Sequence, residues 1–110
     1  MPLHEWMIGT QEAIALQEEL RRRLILEWDG RRVGAVAGAS AAATRGRVFA
    51  AFAVLAYPAL DLIETSIGEA PETIPYVPGL VAFHVGPAIL QSWDRLTVSP
   101  DIVLFEGHGI

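Results

Sequence analysis

The architecture turns on the run Val33-Gly34-Ala35-Val36-Ala37-Gly38-Ala39-Ser40-Ala41-Ala42-Ala43, then Thr44-Arg45-Gly46, then Arg47-Val48-Phe49-Ala50-Ala51-Phe52-Ala53-Val54-Leu55-Ala56-Tyr57. Val33, Ala35 and Ala37 alternate at period two, so Val33 to Ala43 reads as a strand whose small side chains let a neighbour pack closely. Thr44-Arg45-Gly46 reads as a hairpin turn with glycine at its tip. Arg47 to Tyr57 is a second, strongly apolar strand, and Tyr57-Pro58 breaks it. Leu60, Leu62 and Ile63 open a third strand, with Asp61 and Glu64 near solvent, and Ile67-Gly68 ends it.

Upstream, Thr10 reads as an N-cap before the acidic first turn Gln11-Glu12-Ala13. Ile14, Leu16, Leu20 and Leu24 recur at near-helical spacing, which predicts a helix over residues 10–25, followed by a turn at Glu27-Trp28-Asp29-Gly30. Downstream, Gly68 to Pro78 reads as a long loop of the kind that often carries function. Gly79 to Leu96 has a helical pattern interrupted at Gly86-Pro87. Proline suits a first turn and disrupts an interior, so either a helix starts at Pro87 or one helix kinks there. Ile102 to Phe105 is a short apolar strand suited to burial on both faces, and Gly107-His108-Gly109 turns after it. A hairpin sheet, a crossover helix and a strand parallel to the first make the opening half of a ribonuclease H-like α/β fold.

A chain of 110 residues is one domain, 1–110. It is 52% hydrophobic with a mean hydropathy of +0.35, more apolar surface than a core this small needs. Without cysteine it has neither disulfides nor thiolate metal sites. All eight basic residues are arginine, seven of them between Arg21 and Arg47, and Arg95 stands alone later. Net charge is −5, which argues against a self-sufficient nucleic-acid binder. Arg21 to Arg23 read as a solvated helix end, where cations suit the dipole. Trp6, Trp28 and Trp93 read as packing residues, and His84 as an exposed helix histidine. The first residues lack a cationic region followed by an apolar stretch, and Val48 to Leu55 is too short to span a bilayer. The expectation is a soluble cytoplasmic protein with no membrane partner.

Two motifs point further. One is Pro75-Tyr76-Val77-Pro78-Gly79-Leu80, followed by Phe83 and Gly86-Pro87-Ala88-Ile89-Leu90; the other is Asp101 to Ile110, with Glu106-Gly107-His108-Gly109 inside it. Together they resemble the endonuclease V family, whose members nick DNA or RNA beside a deaminated adenine. The resemblance runs from Leu3-His4 to Ile110 and matches the family's N-terminal half. It implies that Pro75, Tyr76, Val77 and Pro78 form a wedge at the damaged base, Tyr76 supplying a flat ring where a nucleotide has flipped out. It also implies that Gly79, Val81, Gly107 and Gly109 line the pocket that reads hypoxanthine, where backbone must come close to a ring. Read without the family, Tyr76 is a loop aromatic packed on its own surface.

The family's reaction is Mg²⁺-assisted phosphodiester hydrolysis, and Mg²⁺ takes oxygen ligands, carboxylates above all. The resemblance places three such carboxylates. An Asp within a Val-Ala-Gly-x-Asp pattern becomes Ser40 here, after Val36-Ala37-Gly38-Ala39. A Glu within Phe-Arg-Glu-Gly-Pro becomes Val85, in Phe83-His84-Val85-Gly86-Pro87. An Asp before Gly-His-Gly becomes Glu106, the one carboxylate kept and so the one catalytic and metal-binding candidate, a weak one. Asp61, Glu64 and Asp101 are better read as exposed strand or turn residues than as replacements. Tight Mg²⁺ binding is therefore not expected.

Three functions follow. The first is an endonuclease V-like DNA-repair protein, acting near deoxyinosine by descent but inactive as this chain. The second is an active nuclease whose metal site another chain completes. The third is a non-catalytic nucleic-acid-binding or oligomerisation module. The partners implied are inosine-containing DNA or RNA, and either a second copy or the missing C-terminal half. A homodimer is expected because two helices cover only about one face of the sheet.

Overall fold

A computed structural model of the chain describes residues 8–72 and 81–105, without the side chain of Val81. The elements are α1 (Thr10–Arg21), β1 (Ala35–Thr44), β2 (Arg47–Ala56), β3 (Leu62–Pro71), α2 (Val81–Asp94) and β4 (Ile102–Phe105). The strands form one sheet in the order β3-β2-β1-β4, with β1 antiparallel to β2 and parallel to β4. No helix among the described residues is long and apolar enough to cross a membrane.

The β1–β2 hairpin closes through two residues, Arg45 at φ 52° and Gly46 at φ 76°, between the paired Thr44 and Arg47. Two successive positive φ angles give the turn a twist that matches the strands it joins. β2 and β3 pair from Arg47↔Pro71 to Leu55↔Leu62, with Ile63 as an extra residue where the register shifts. β3 does not stop at Gly68, as its sequence suggests, but continues to Pro71. The reason lies in α2. A Cβ at Gly68 would stand 2.6 Å from Ser92 N and 3.0 Å from Ala88 O, so glycine is here to let helix backbone rest on the strand. Beside it, Ser66 Oγ–H donates to Ser92 O at 2.8 Å, and the two hydroxyls lie 2.9 Å apart, both buried.

α2 is a single helix with Pro87 in its interior, the second of the two geometries left open by the sequence. It packs on β1, β2 and β3. One buried cluster joins Ala35, Ala37, Phe52 and Val54 to Ile89, Trp93 and Val103. Phe52 and Trp93 meet edge to face with centroids 5.7 Å apart. A second joins Val48, Ala50 and Ala88 to Val85, Ile89 and Ala70. α2 also occupies backbone groups of the edge strand β3: Glu69 N–H donates to Gln91 Oε1 at 2.6 Å, and Arg95 Nη1 donates to Ile67 O at 2.5 Å.

α1 departs most from its sequence pattern. Its N-cap is Gly9 rather than Thr10, and it ends at Arg21 instead of running to residue 25. Arg22, Arg23 and Leu24 close the end with i→i−3 bonds. Only Ala13 is buried, against Phe83 of α2 with Ile8 and Leu16 beside it. A helix this weakly packed has little to extend it. Leu24 is 64% exposed, and Trp28, read from sequence as a packing residue, is 57% exposed. The expected cover by two helices is therefore corrected to α2 on one face, with α1 docked at Phe83.

Two carboxylates tie strand ends to loops. Glu64 accepts from Val98 N–H (3.0 Å), Thr97 N–H (3.0 Å) and Thr97 Oγ1–H (3.0 Å). Asp101 accepts from Gly34 N–H (2.8 Å) and Ala35 N–H (3.1 Å). The Val98 and Thr97 amides hold the Glu64 carboxyl below its ordinary 4.5, and the Gly34 and Ala35 amides hold Asp101 below 3.8. A lowered folded-state pKa gives stability that is complete above the unfolded value and is lost as pH falls through the folded one. Glu64→Gln is thus expected to lower the melting temperature at neutral pH and to flatten its decline below about pH 4.5. Thermal melts across pH check this; identical acid limbs would refute it.

Candidate functional site

Of the candidate site positions, Ser40, Val81 and Val85 fall within the described residues, the first on β1 and the other two in the first turns of α2. Ser40 lies on β1 opposite Ala51 and is exposed. Its neighbours Ala35, Ala37 and Ala39 face α2, so strand alternation puts Ser40 on the other face, with Val36 and Gly38. The last described β1–β4 pair is Ala39↔Phe105, one residue short of Ser40. Val85 packs between α2 and the sheet, against the cluster of Val48, Ala50 and Ala88. Ser40 and Val85 thus share a level of the sheet but not a face.

His84 is not an exposed helix histidine. It is 7% exposed, and its Nε2 lies 3.6 Å from Glu72 Oε2. Its ring is buried because the first turns of α2 lie against the end of β3, where Glu72 N–H also donates to Gly46 O at 2.8 Å. Nothing in Pro71-Glu72-Thr73 marks Glu72 as a histidine partner; the pairing needs the fold.

The described residues do not fit a Mg²⁺ ion. Ser40 brings a neutral hydroxyl and Val85 only methyl groups. Glu64 and Asp101, read from sequence as exposed, are half-buried and accept backbone N–H groups, while Asp61 is exposed. No three of His, Asp and Glu among the described residues stand close enough to share a metal. Pro75, Tyr76, Val77, Pro78, Gly79, Glu106, Gly107, His108 and Gly109 lie outside the described residues, as do His4 and Trp6. Val81 opens α2.

An antiparallel hairpin sheet, a helix across one face, and a fourth strand parallel to the first define the opening half of a ribonuclease H-like α/β domain. The sequence comparisons narrow the class. The family model for endonuclease V matches residues 16–110. Endonuclease V of Nostoc punctiforme is 39% identical over 112 aligned residues, covering 97% of this chain and 50% of that protein. That of Dictyoglomus turgidum is 32% identical over 102, covering 93% and 45%. The crystal structure of endonuclease V from Streptomyces avermitilis superposes with a TM-score of 0.85 at 36% identity, over 94% of this chain and 47% of that one. Ciona intestinalis endonuclease V, in complex with a 24mer DNA containing an inosine followed by a ribo-adenosine, shares the fold with a TM-score of 0.76 at 20% identity, over 88% and 45%. The chain belongs to the endonuclease V family. It spans about half the length of the curated relatives it matches.

Proposed function

We propose that these 110 residues form an endonuclease V-type nucleic-acid-binding half-domain that does not itself cleave. The observation that carries this reading is Val85, which stands where the family motif has a helix carboxylate and is part of an apolar cluster. Ser40 adds to it by supplying a hydroxyl where the motif has an Asp. A metal site needs converging charged oxygens. Glu106, the single carboxylate left, is a weak ligand for Mg²⁺ alone.

In this reading Pro75-Tyr76-Val77-Pro78 is the wedge, and Gly79, Val81, Gly107 and Gly109 face the base. The ligand is inosine-containing DNA or RNA, met in a DNA-repair setting in the cytoplasm. A second copy of the chain is the protein partner, through the sheet face that α2 leaves open. The rival reading, an active nuclease completed by another chain, would draw its missing ligands from that chain.

A nicking assay on an end-labelled inosine duplex tests this directly. The purified chain is expected to give no cleavage with Mg²⁺ or Mn²⁺, and Tyr76→Ala to weaken binding to the inosine strand. Metal-dependent turnover that disappears in Glu106→Ala would overturn the proposal in favour of the nuclease.

A further inference from the structure

From residue 22 to residue 34 the chain has neither helix nor strand. The stretch Arg21 to Arg32 holds five of the eight arginines against Glu27 and Asp29, so it is positive within a chain of net charge −5. Two of the five are taken up locally. Arg23 pairs with Glu19 at 2.7 Å and Arg31 with Asp29 at 2.8 Å. Arg21, Arg22 and Arg32 are exposed and, among the described residues, make no ion pair or side-chain hydrogen bond. Of the remaining arginines, Arg47 pairs with Glu69, and Arg95 serves Ile67 O.

The apolar residues of the stretch are equally uncommitted. Trp28 belongs to no core cluster and is 57% exposed, and Ile25 and Leu26 are nearly bare at 87% and 89%. The turn after Trp28 is fixed: Arg31 N–H donates to Asp29 Oδ1 at 3.0 Å, and Gly30 sits at φ 79°. Chain length alone keeps Arg22 within about 21 Å of Trp28, and Arg32 within about 14 Å. That reach suits a few nucleotides. A flat ring among unpaired guanidinium groups is the chemistry that holds single strands, with base on ring and phosphate on cation. Duplex DNA offers the ring no unstacked base. A membrane surface would call for an amphipathic helix, and this segment is irregular.

We infer that the strip from Arg21 to Arg32 is a sequence-independent contact for single-stranded nucleic acid, in which Arg21, Arg22 and Arg32 take phosphates and Trp28 stacks on a base. This rests on the nucleic-acid reading above and adds a contact made by residues other than Pro75 to Pro78. It leaves the acidic body of the domain without a role in holding the backbone.

The test is fluorescence anisotropy of the full chain with labelled oligodeoxythymidylate, with and without one inosine, over a range of salt. The triple variant Arg21→Gln, Arg22→Gln, Arg32→Gln is expected to bind about tenfold more weakly and to flatten the log K against log salt slope by about 2, at roughly 0.7 per phosphate. Trp28→Ala is expected to lose about tenfold with the slope unchanged. Arg45→Gln, at the hairpin tip, serves as a control expected to change neither. Circular dichroism establishes that each variant is folded. Variants that bind as the wild type does, with the same slope, overturn the strip and leave the wedge reading standing. A wild type that binds no oligonucleotide overturns both. A wild type that prefers phosphatidylserine vesicles, and loses them in the same variants, makes the strip a membrane contact and also overturns the inference.

Discussion

Gly68→Ala is expected to lower the melting temperature by on the order of 10–20 °C, although it adds one methyl group to an edge strand. The new Cβ would meet Ser92 N at 2.6 Å, Ala88 O at 3.0 Å and Ser92 Cα at 3.0 Å. All three belong to helix backbone, so no rotamer change relieves them. The helix must lift or the strand must bend, and either shift opens the Ser66–Ser92 hydroxyl pair and loosens Ala88 in its cluster. Overpacking of this kind costs about 1–3 kcal/mol, and a domain of this size loses about 4–8 °C per kcal/mol. Because the clash is with backbone, adding Ser92→Gly is not expected to rescue the variant. Gly38→Ala is the contrast. Gly38 lies inside β1 with nothing within 4 Å of its Cβ position, so the change is expected to be neutral or slightly stabilising. Equal melting temperatures for Gly68→Ala and the wild type would refute the close approach of α2 to β3.

Gly68 also shows where sequence reading runs out. A glycine after Ile67 carries the same local signal whether it ends a strand or admits a helix. What separates the cases is a contact 24 residues away at Ser92. The β1–β2 hairpin and β4 were legible because their signals are local: alternation, a glycine-tipped turn and a short apolar run. Passage of α2 through Pro87 was one of two open geometries, since proline forbids a bond but not a helix already held on three strands. The end of α1 was missed because Leu24 fits the helical period while the fold gives it nothing to pack on; it is 64% exposed. At the candidate site the motif positions of Ser40 and Val85 are expectations from the sequence only. The burial of His84 beside Glu72 could not be read from it, nor the tying of Glu64 to Val98 and of Asp101 to Gly34. Those bonds join residues 34 and 67 positions apart.

Purified chain is expected to associate at micromolar concentration. α2 covers one face of the sheet, and the other is largely apolar. Strand alternation lines that face with Val36 of β1, Phe49 and Leu55 of β2, Ile67 of β3, and Ile102 and Leu104 of β4. Ile67 is 64% exposed and Leu104 67%. Among the described residues β4 is also a sheet edge, and it is apolar throughout, whereas Gln91 and Arg95 occupy backbone groups along the opposite edge, β3. At about 25 cal/mol per Å² of apolar surface, burial of that face favours association by many kcal/mol before the entropic cost of binding. The centre of the face carries no charge; the Arg47–Glu69 pair marks its margin, so two copies would meet there without like charges opposed. Sedimentation or light scattering is expected to show a mass that rises with concentration, and Ile67→Lys with Leu104→Lys to return the chain to a folded monomer. Both side chains are exposed, so neither substitution disturbs the core under α2. A wild type that stays monodisperse and monomeric while melting cooperatively would mean that one covered face suffices, and the open face would lose its role as an interface.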